Sequence, residues 1–364
     1  MAEGKTLIHI LPSVRWGGVE RYAFDICRHF KNEGWNVMAM TRDAVAVDSL
    51  FRSEGISLIH APMFGMFDLK TVRILASAIK QCKDNEVIVH VHGFRVACMA
   101  LLAKKVSRRR DVRIVMTRHK VRRGANSWLF NKIYRNLDSI IFESEMSKKR
   151  FLSTWNNRRL PFREDKLHVI PDSLNIEHRQ RKTKEKKGPT FAICHGILRP
   201  GKGIETLIDA LCLLRGKRIR LRIVSSGKSD YVDKLRRRAL SRGVMDMIDW
   251  HKQVSNPMEL IENSDFGVLP SQNEEAFGIA NLEVMAAGRP QIASANGAQK
   301  EYITDGKEGL LVTPGEPALL AKAMTRLAED AELCENMGKR AYDRFYSFLS
   351  WQKFISRLTA VYTL

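Results

Sequence analysis

The sequence predicts an α/β protein of two units in tandem, each a parallel sheet covered by helices, and three observations predict it. Its 364 residues exceed the length over which one hydrophobic core usually keeps growing, which favours two units of about 150–200 residues. Strand-like apolar runs alternate with helical patterns along the whole chain, the signature of parallel strands joined by crossover helices. A charged stretch without apolar periodicity, Ile176 to Pro189, interrupts that alternation once.

The first strand is expected over Thr6–Leu11, followed by a helix to about Glu33 and by strands at Asn36–Thr41, Val87–Val91, Arg113–Thr117 and Ser139–Glu143. After a linker at 176–189, a second series is expected at Thr190–His195, Arg220–Ser225, Met247–Trp250, Phe266–Pro270, Gln291–Ala293 and Gly309–Val312. Residues 1–175 and 190–346 thus read as two Rossmann-like units. In such open sheets ligands settle outside the carboxyl ends of the strands, so two of them facing one another would share a cleft.

Composition is that of an ordinary globular protein, 44% hydrophobic and 28% charged, and no apolar run approaches the ~20 residues that span a bilayer. The stretch Met1–Ile10 reads as a first strand rather than a leader, so a folded cytoplasmic protein is expected. Six cysteines stand far apart with no C-x-x-C and no histidine at metal-ligand spacing, which predicts free thiols and no metal centre. The net charge of +21 is the unusual feature: residues 1–175 carry 31 Lys+Arg against 17 Asp+Glu, and the remainder 30 against 23. A field of that sign concentrates anionic partners.

Three segments carry candidate chemistry. Gly17 and Gly18 follow the first strand and open the first helix, where backbone must approach a ligand or simply turn tightly. The loop His195-Gly196-Ile197-Leu198-Arg199-Pro200-Gly201-Lys202-Gly203 follows a strand in the second unit; Arg199 and Lys202 can clamp a diphosphate, or form a solvated basic loop. The third, Glu274 to Pro290, sets Glu275 in a loop and Glu283 eight positions on, within a helix, with the N–H groups around Gly278, Ile279, Ala280 and Asn281 between them. Those N–H groups suit an anion and Glu283 suits ribose hydroxyls, though most glutamate pairs are surface acids. The full G-x-G-x-x-G fingerprint is absent, which disfavours a nicotinamide or flavin cofactor.

Taken together these segments resemble the retaining glycosyltransferases of the GT-B fold, the family-4-like group 1 enzymes of lipopolysaccharide and capsule synthesis. Glu275 and Glu283 match the family's E-x7-E motif; Gly196, Arg199, Lys202 and Gly203 match its basic diphosphate motif, and Gly17 and Gly18 its first glycine loop. Weaker matches follow in the right order: His90-Val91-His92-Gly93, Thr117-Arg118-His119, Ser144–Lys148, Val169–Asn175, Ser225-Ser226-Gly227 and Asp305–Val312. Asp172-Ser173 stands where the family usually has Asn-Gly, and Ser225-Ser226 replaces Gly-Asp.

The resemblance implies a catalytic set of His92, Arg199, Lys202 and Glu275, with His92 and Glu275 approaching the donor sugar from opposite sides. It implies donor binding by Gly17, Gly18, Gly196, Arg199, Lys202, Gly227, Val254, Phe277, Gly278, Ile279, Ala280 and Glu283, and places Arg118 and His119 in the acceptor cleft. It also implies that a C-terminal helix within 347–364, with Trp351, Phe354, Leu358 and Val361 at helical spacing, crosses back to the first unit. The substrates implied are a nucleotide-sugar donor, UDP- or GDP-linked, and a glycan or lipid-linked acceptor. No cofactor is expected: the sequence has no Asp-x-Asp for a metal-bridged diphosphate, and cationic side chains take that part.

Ten basic residues and one acid between Lys104 and Arg123 suggest a face that meets an anionic membrane, with Phe64, Phe67 and Trp128 near it; a solvated basic face is the plainer reading. Nucleic acid is not an expected partner, because no recognised module accompanies the charge. Two rivals are a UDP-sugar 2-epimerase-like enzyme on the same fold and a non-enzymatic basic nucleotide- or nucleic-acid-binding protein.

Overall fold

The structure, a computed structural model, describes residues 4–14, 16–42, 45–156, 159–176, 181, 188–225, 229–252, 254 and 257–364. The chain forms two compact units, one of Met1–Pro171 with Phe354–Leu364, the other of Asp172–Lys353. Most of the expected linker at 176–189 lies outside the described residues.

The first unit holds strands β1 (Lys5–Ile10), β2 (Asn36–Thr41), β3 (Ser57–His60), β4 (Glu86–Val91), β5 (Val112–Arg118), β6 (Ser139–Phe142) and β7 (Leu167–Val169). Between them run α1 (Gly18–Asn32), α2 (Val45–Ser53), α3 (Leu69–Gln81), α4 (Phe94–Ser107), α5 (Trp128–Asn136) and α6 (Glu145–Leu152). The strands form one parallel sheet in the order β3-β2-β1-β4-β5-β6-β7. Because helices cover both faces, the inner strands read as continuous apolar runs: in β4 every residue after Glu86 is buried. The sequence reading missed β3 and β7. Both are outermost strands, short and only partly buried, so neither has the apolar run that marks the others.

The second unit holds β8 (Thr190–Gly196), β9 (Ile219–Ser225), β10 (Ile248–Lys252), β11 (Phe266–Leu269), β12 (Gln291–Ser294) and β13 (Gly309–Val312). Its helices are α7 (Ile204–Cys212), α8 (Ser229–Ser241), α9 (Met258–Glu262), α10 (Ile279–Ala286), α11 (Pro317–Glu329) and α12 (Ala331–Phe348). This sheet is also parallel, in the order β10-β9-β8-β11-β12-β13. A last helix, α13 (Trp351–Thr363), begins in the second unit and continues into the first. Within the first unit its Tyr362 hydroxyl meets His90 Nδ1 at 2.5 Å and its last carbonyls accept from Arg113.

In each sheet the chain winds outward one way and then returns to the other side of its first strand. The topological switch points lie between β1 and β4 and between β8 and β11.

Candidate functional site

The helices at the switch points share one feature, an uncapped start at a glycine. Several helices elsewhere carry side-chain caps, Asp68 accepting from Lys70 and Thr71 at α3, Ser144 from Ser147 at α6 and Asp330 from Leu333 at α12, while α9 and α11 start at Pro257 and Glu316 without one. The four helices that follow β1, β4, β8 and β11 begin instead at Gly17, Gly93, Gly203 and Gly278, with no side-chain cap. Their first N–H groups are left for an anion or a polar ligand.

At the second switch point the geometry is tight. Gly203 has φ +73°, and a Cβ there would run into the carbonyl oxygen of Pro270, so the loop after β8 can lie against the end of β11 only with glycine at this position. That approach brings Lys202 Nζ to 2.6 Å from Oε1 of Glu275, an oxygen that also accepts from Ser271 Oγ at 2.6 Å. Glu283 lies deeper, its Oε2 2.8 Å from His195 Nε2, both side chains buried. Gly196, with φ +115° and open space around it, turns the chain out of β8. Arg199 is exposed, and its side chain has no hydrogen-bond or ion-pair partner among the described residues.

The structure thus joins the basic loop to both acids of E-x7-E, a pairing the sequence reading left out. His195, treated only as the head of the loop, proves to be the partner of Glu283. Ile279 and Ala280 are partly exposed at the uncapped start of α10, and Gly278 takes φ +99°. Phe277 departs from its expected place: its side chain is buried against the Tyr302 ring, 4.8 Å between centroids, and its carbonyl accepts from the Tyr302 hydroxyl at 2.5 Å. Being apolar, its ring packs into the core rather than facing a ligand. Val254 is exposed, and Gly227 lies outside the described residues. Of the non-family-like pair, Ser173 donates to the Leu349 carbonyl and Asp172 is buried.

At the first switch point, Gly17 and Gly18 open α1 and His92 follows β4. Neither ring nitrogen of His92 is open: Nε2 faces His9 Nδ1 at 3.0 Å and Nδ1 faces His119 Nε2 at 2.9 Å. His119 Nδ1 in turn is bonded to Glu143 Oε1. His90 sits beneath, bonded to Tyr362 and, through Nε2, to Thr117 Oγ1 at 2.7 Å. Burial holds His9 down at about 3 and His90 and His92 well below the ordinary histidine value, so all three rings are neutral. Glu20, on α1, is pushed upward by burial. Arg118 packs over the Phe151 ring, 4.7 Å from its centroid, and donates to the Arg122 carbonyl, so its guanidinium is held by its own unit.

The basic run from Lys104 to Arg123 does not make one face. The seven residues of β5 pass through it, which leaves Lys104, Lys105, Arg108, Arg109 and Arg110 at one edge of the sheet and Lys120, Arg122 and Arg123 at the other. At about 3.3 Å per residue the two sets stand some 20 Å apart. Arg109 is also consumed internally, by Asp111 and the carbonyls of Ile79, Cys82 and Asp84. The six cysteines are free. Among the described residues no cluster suited to a metal ion occurs, and no helix is long and apolar enough to cross a membrane.

Comparison with known proteins identifies the family and the fold. The family model of glycosyltransferase family 4 matches residues 16–178, and that of glycosyl transferases group 1 matches residues 175–344. A D-rhamnosyltransferase of Pseudomonas aeruginosa, WbpZ, is 33% identical over 182 residues, 48% of this chain and 44% of the relative. A D-inositol 3-phosphate glycosyltransferase of Streptomyces griseus is 31% identical over 186 residues, 48% of this chain and 38% of the relative. The matched stretches thus span less than half the length of these curated relatives. Among solved structures, Anabaena HepE in complex with UDP and glucose superposes with a TM-score of 0.82 at 18% identity, covering 98% of this chain and 99% of that one. A glycosyltransferase from Rickettsia africae gives a TM-score of 0.84 at 19% identity, covering 99% and 98%. The shared architecture is the GT-B fold, and the chain belongs to the family-4-like group 1 glycosyltransferases.

Proposed function

We propose that this chain moves a sugar from a nucleotide-sugar donor, UDP- or GDP-linked, to a hydroxyl of a glycan or lipid-linked acceptor, with retained anomeric configuration, in the synthesis of lipopolysaccharide, capsule or other envelope polysaccharide. The observation that carries the reading is the Lys202–Glu275 pair, set at a switch point between two helices whose N-termini carry no side-chain cap. As the glycosidic bond breaks, negative charge grows on the departing diphosphate. Lys202, Arg199 and the first N–H groups of α7 and α10 are the groups that answer it, each cation being worth about 2–4 kcal/mol of barrier. When Lys202 turns to phosphate, Glu275 is released to accept hydrogen bonds from the sugar.

Retention is assigned to a same-face route in which the acceptor hydroxyl passes its proton to the departing phosphate oxygen as the new bond forms. This needs no protein nucleophile and no metal; full turnover in excess chelator is the expected result, and a strict manganese requirement would overturn it. We place the protein in the cytoplasm. Contact with an anionic membrane falls to the smaller basic set, Lys120, Arg122 and Arg123, beside the exposed Trp128. Sedimentation with anionic vesicles at low salt, lost when those three cations are neutralised, is the check.

The direct test is a thermal-shift and turnover screen of UDP-, GDP- and ADP-sugars, repeated with Lys202→Ala. One donor at about 100 times its dissociation constant adds ~2.7 kcal/mol. A melting curve that no sugar nucleotide moves would sink the transferase reading.

A further inference from the structure

The residues His9, His92, His119 and Glu143 stand at or just beyond the carboxyl ends of four neighbouring strands, β1, β4, β5 and β6, and are hydrogen-bonded in that order. A row of three imidazoles closed by a carboxylate has a direction. Ionised Glu143 can only accept, so the proton between it and His119 belongs to His119 Nδ1. With His119 neutral, its Nε2 must accept from His92 Nδ1–H, and His92 Nε2 must accept from His9 Nδ1–H. The row then ends at His9 Nε2, a fully buried nitrogen with no hydrogen-bond partner among the described residues.

We propose that Glu143 is a positioning residue that, through His119, decides on which ring nitrogen His92 carries its proton.

The row has one alternative arrangement. A proton taken up at His9 Nε2 lets His9 Nδ1–H pass to His92 Nε2 and His92 Nδ1–H pass to His119 Nε2. His9 and His92 end neutral with their protons on Nε2, and the added charge rests on His119 beside Glu143. One proton therefore reverses two tautomers, and His119 is the ring of the row that touches a carboxylate. Burial keeps His9 and His92 from holding the charge themselves. Among the described residues, the other groups seen to face the row are Glu20 and Tyr22 on α1, His90 on β4, Thr117 on β5 and Tyr362 on α13. Glu20 acts on His119 by charge alone; the hydroxyls of Thr117 and Tyr362 occupy both nitrogens of His90, which keeps that ring out of the row.

The test is ring-nitrogen NMR of the histidine-labelled full chain, titrated from about pH 5 to about pH 8. His9 and His92 are expected to exchange from the Nδ1–H to the Nε2–H form in the single step in which His119 takes up a proton. Glu143→Gln should lower the pH of that exchange by about one unit or more, and Glu143→Asp should restore part of it. If His92 keeps one tautomer while His119 titrates, or if Glu143→Gln leaves the exchange at its wild-type pH, the inference fails. Should neither variant fold, the wild-type titration alone decides. The consequence for turnover, a parallel shift in the pH profile of kcat/KM in Glu143→Gln, rests on the transferase reading. Tautomers that respond to Glu143 in a protein that turns over no sugar nucleotide would uphold this inference and reject that reading.

Discussion

His195 Nε2 lies 2.8 Å from a Glu283 carboxylate oxygen across 88 positions of sequence, and both side chains are buried. Removing the acid strands a buried imidazole. Glu283→Ala is expected to lower stability by about 2–3 kcal/mol and to abolish nucleotide binding, whereas Glu283→Gln, which can still accept the hydrogen bond, should keep most of the stability. Urea midpoints and nucleotide titrations of the two variants separate packing from recognition.

Lys202 and Glu275 should prove non-additive. Lys202→Ala is expected to cut kcat/KM about 100-fold to 1,000-fold, and Glu275→Gln by a comparable factor. Because each side chain is held by the other in the resting protein, the double variant should fall well short of the product of the two losses. Steady-state kinetics on the four proteins supply the cycle; full additivity would mean that the pair acts as two separate groups.

The two loop glycines should respond differently to alanine. At Gly196 the Cβ meets open space and only the positive φ is strained, a cost of about 1–2 kcal/mol. At Gly203 the same strain is joined by collision with the Pro270 backbone, so Gly203→Ala should be the more destabilising and should shift the Lys202 loop. Thermal melts rank them, and equal melting points would contradict the close approach of β8 and β11.

Acid should destabilise the first unit through its histidines. His9, His90 and His92 are held below the ordinary value when folded, so the unfolded chain binds more protons. Their stabilisation is fully present above about pH 6.5 and is lost as pH falls, for His9 down to about 3, at about 1.4 kcal/mol per pH unit for each histidine. Asp25, pushed up to about 6 by burial, and Glu20, also raised by burial, bind their protons more tightly in the fold and so oppose part of the trend. Denaturant titrations at neutral and mildly acidic pH should show the net loss, and His9→Gln should flatten it.

What the sequence disclosed follows from what is local. Inner strands such as β4 announce themselves because burial on both faces demands an unbroken apolar run, while β3 and β7 escape notice because an outer strand does not. The loop chemistry around Lys202 and around Glu275 was legible segment by segment. Their contact was not, since it depends on β8 lying beside β11, a fact of topology that residue spacing does not carry. His9 and Glu143 escaped for the same reason: a lone histidine in a strand and a glutamate after one look unremarkable until β1, β4, β5 and β6 are set side by side. A histidine near the carboxyl end of each of β1, β4 and β5 was the available signal. The basic run misled because a count along the chain ignores that a strand carries its two ends to opposite edges of a sheet.

The chain leaves its first unit at Pro171 and returns to it only at Phe354. During synthesis, the second unit, contiguous from Asp172 to Lys353, is complete in sequence before the first has received the Tyr362 that closes over His90. The usual order of folding from the N-terminus is therefore inverted at the finish, and the nascent first unit waits, with His90 not yet covered by Tyr362, for the last residues of α13 to be made.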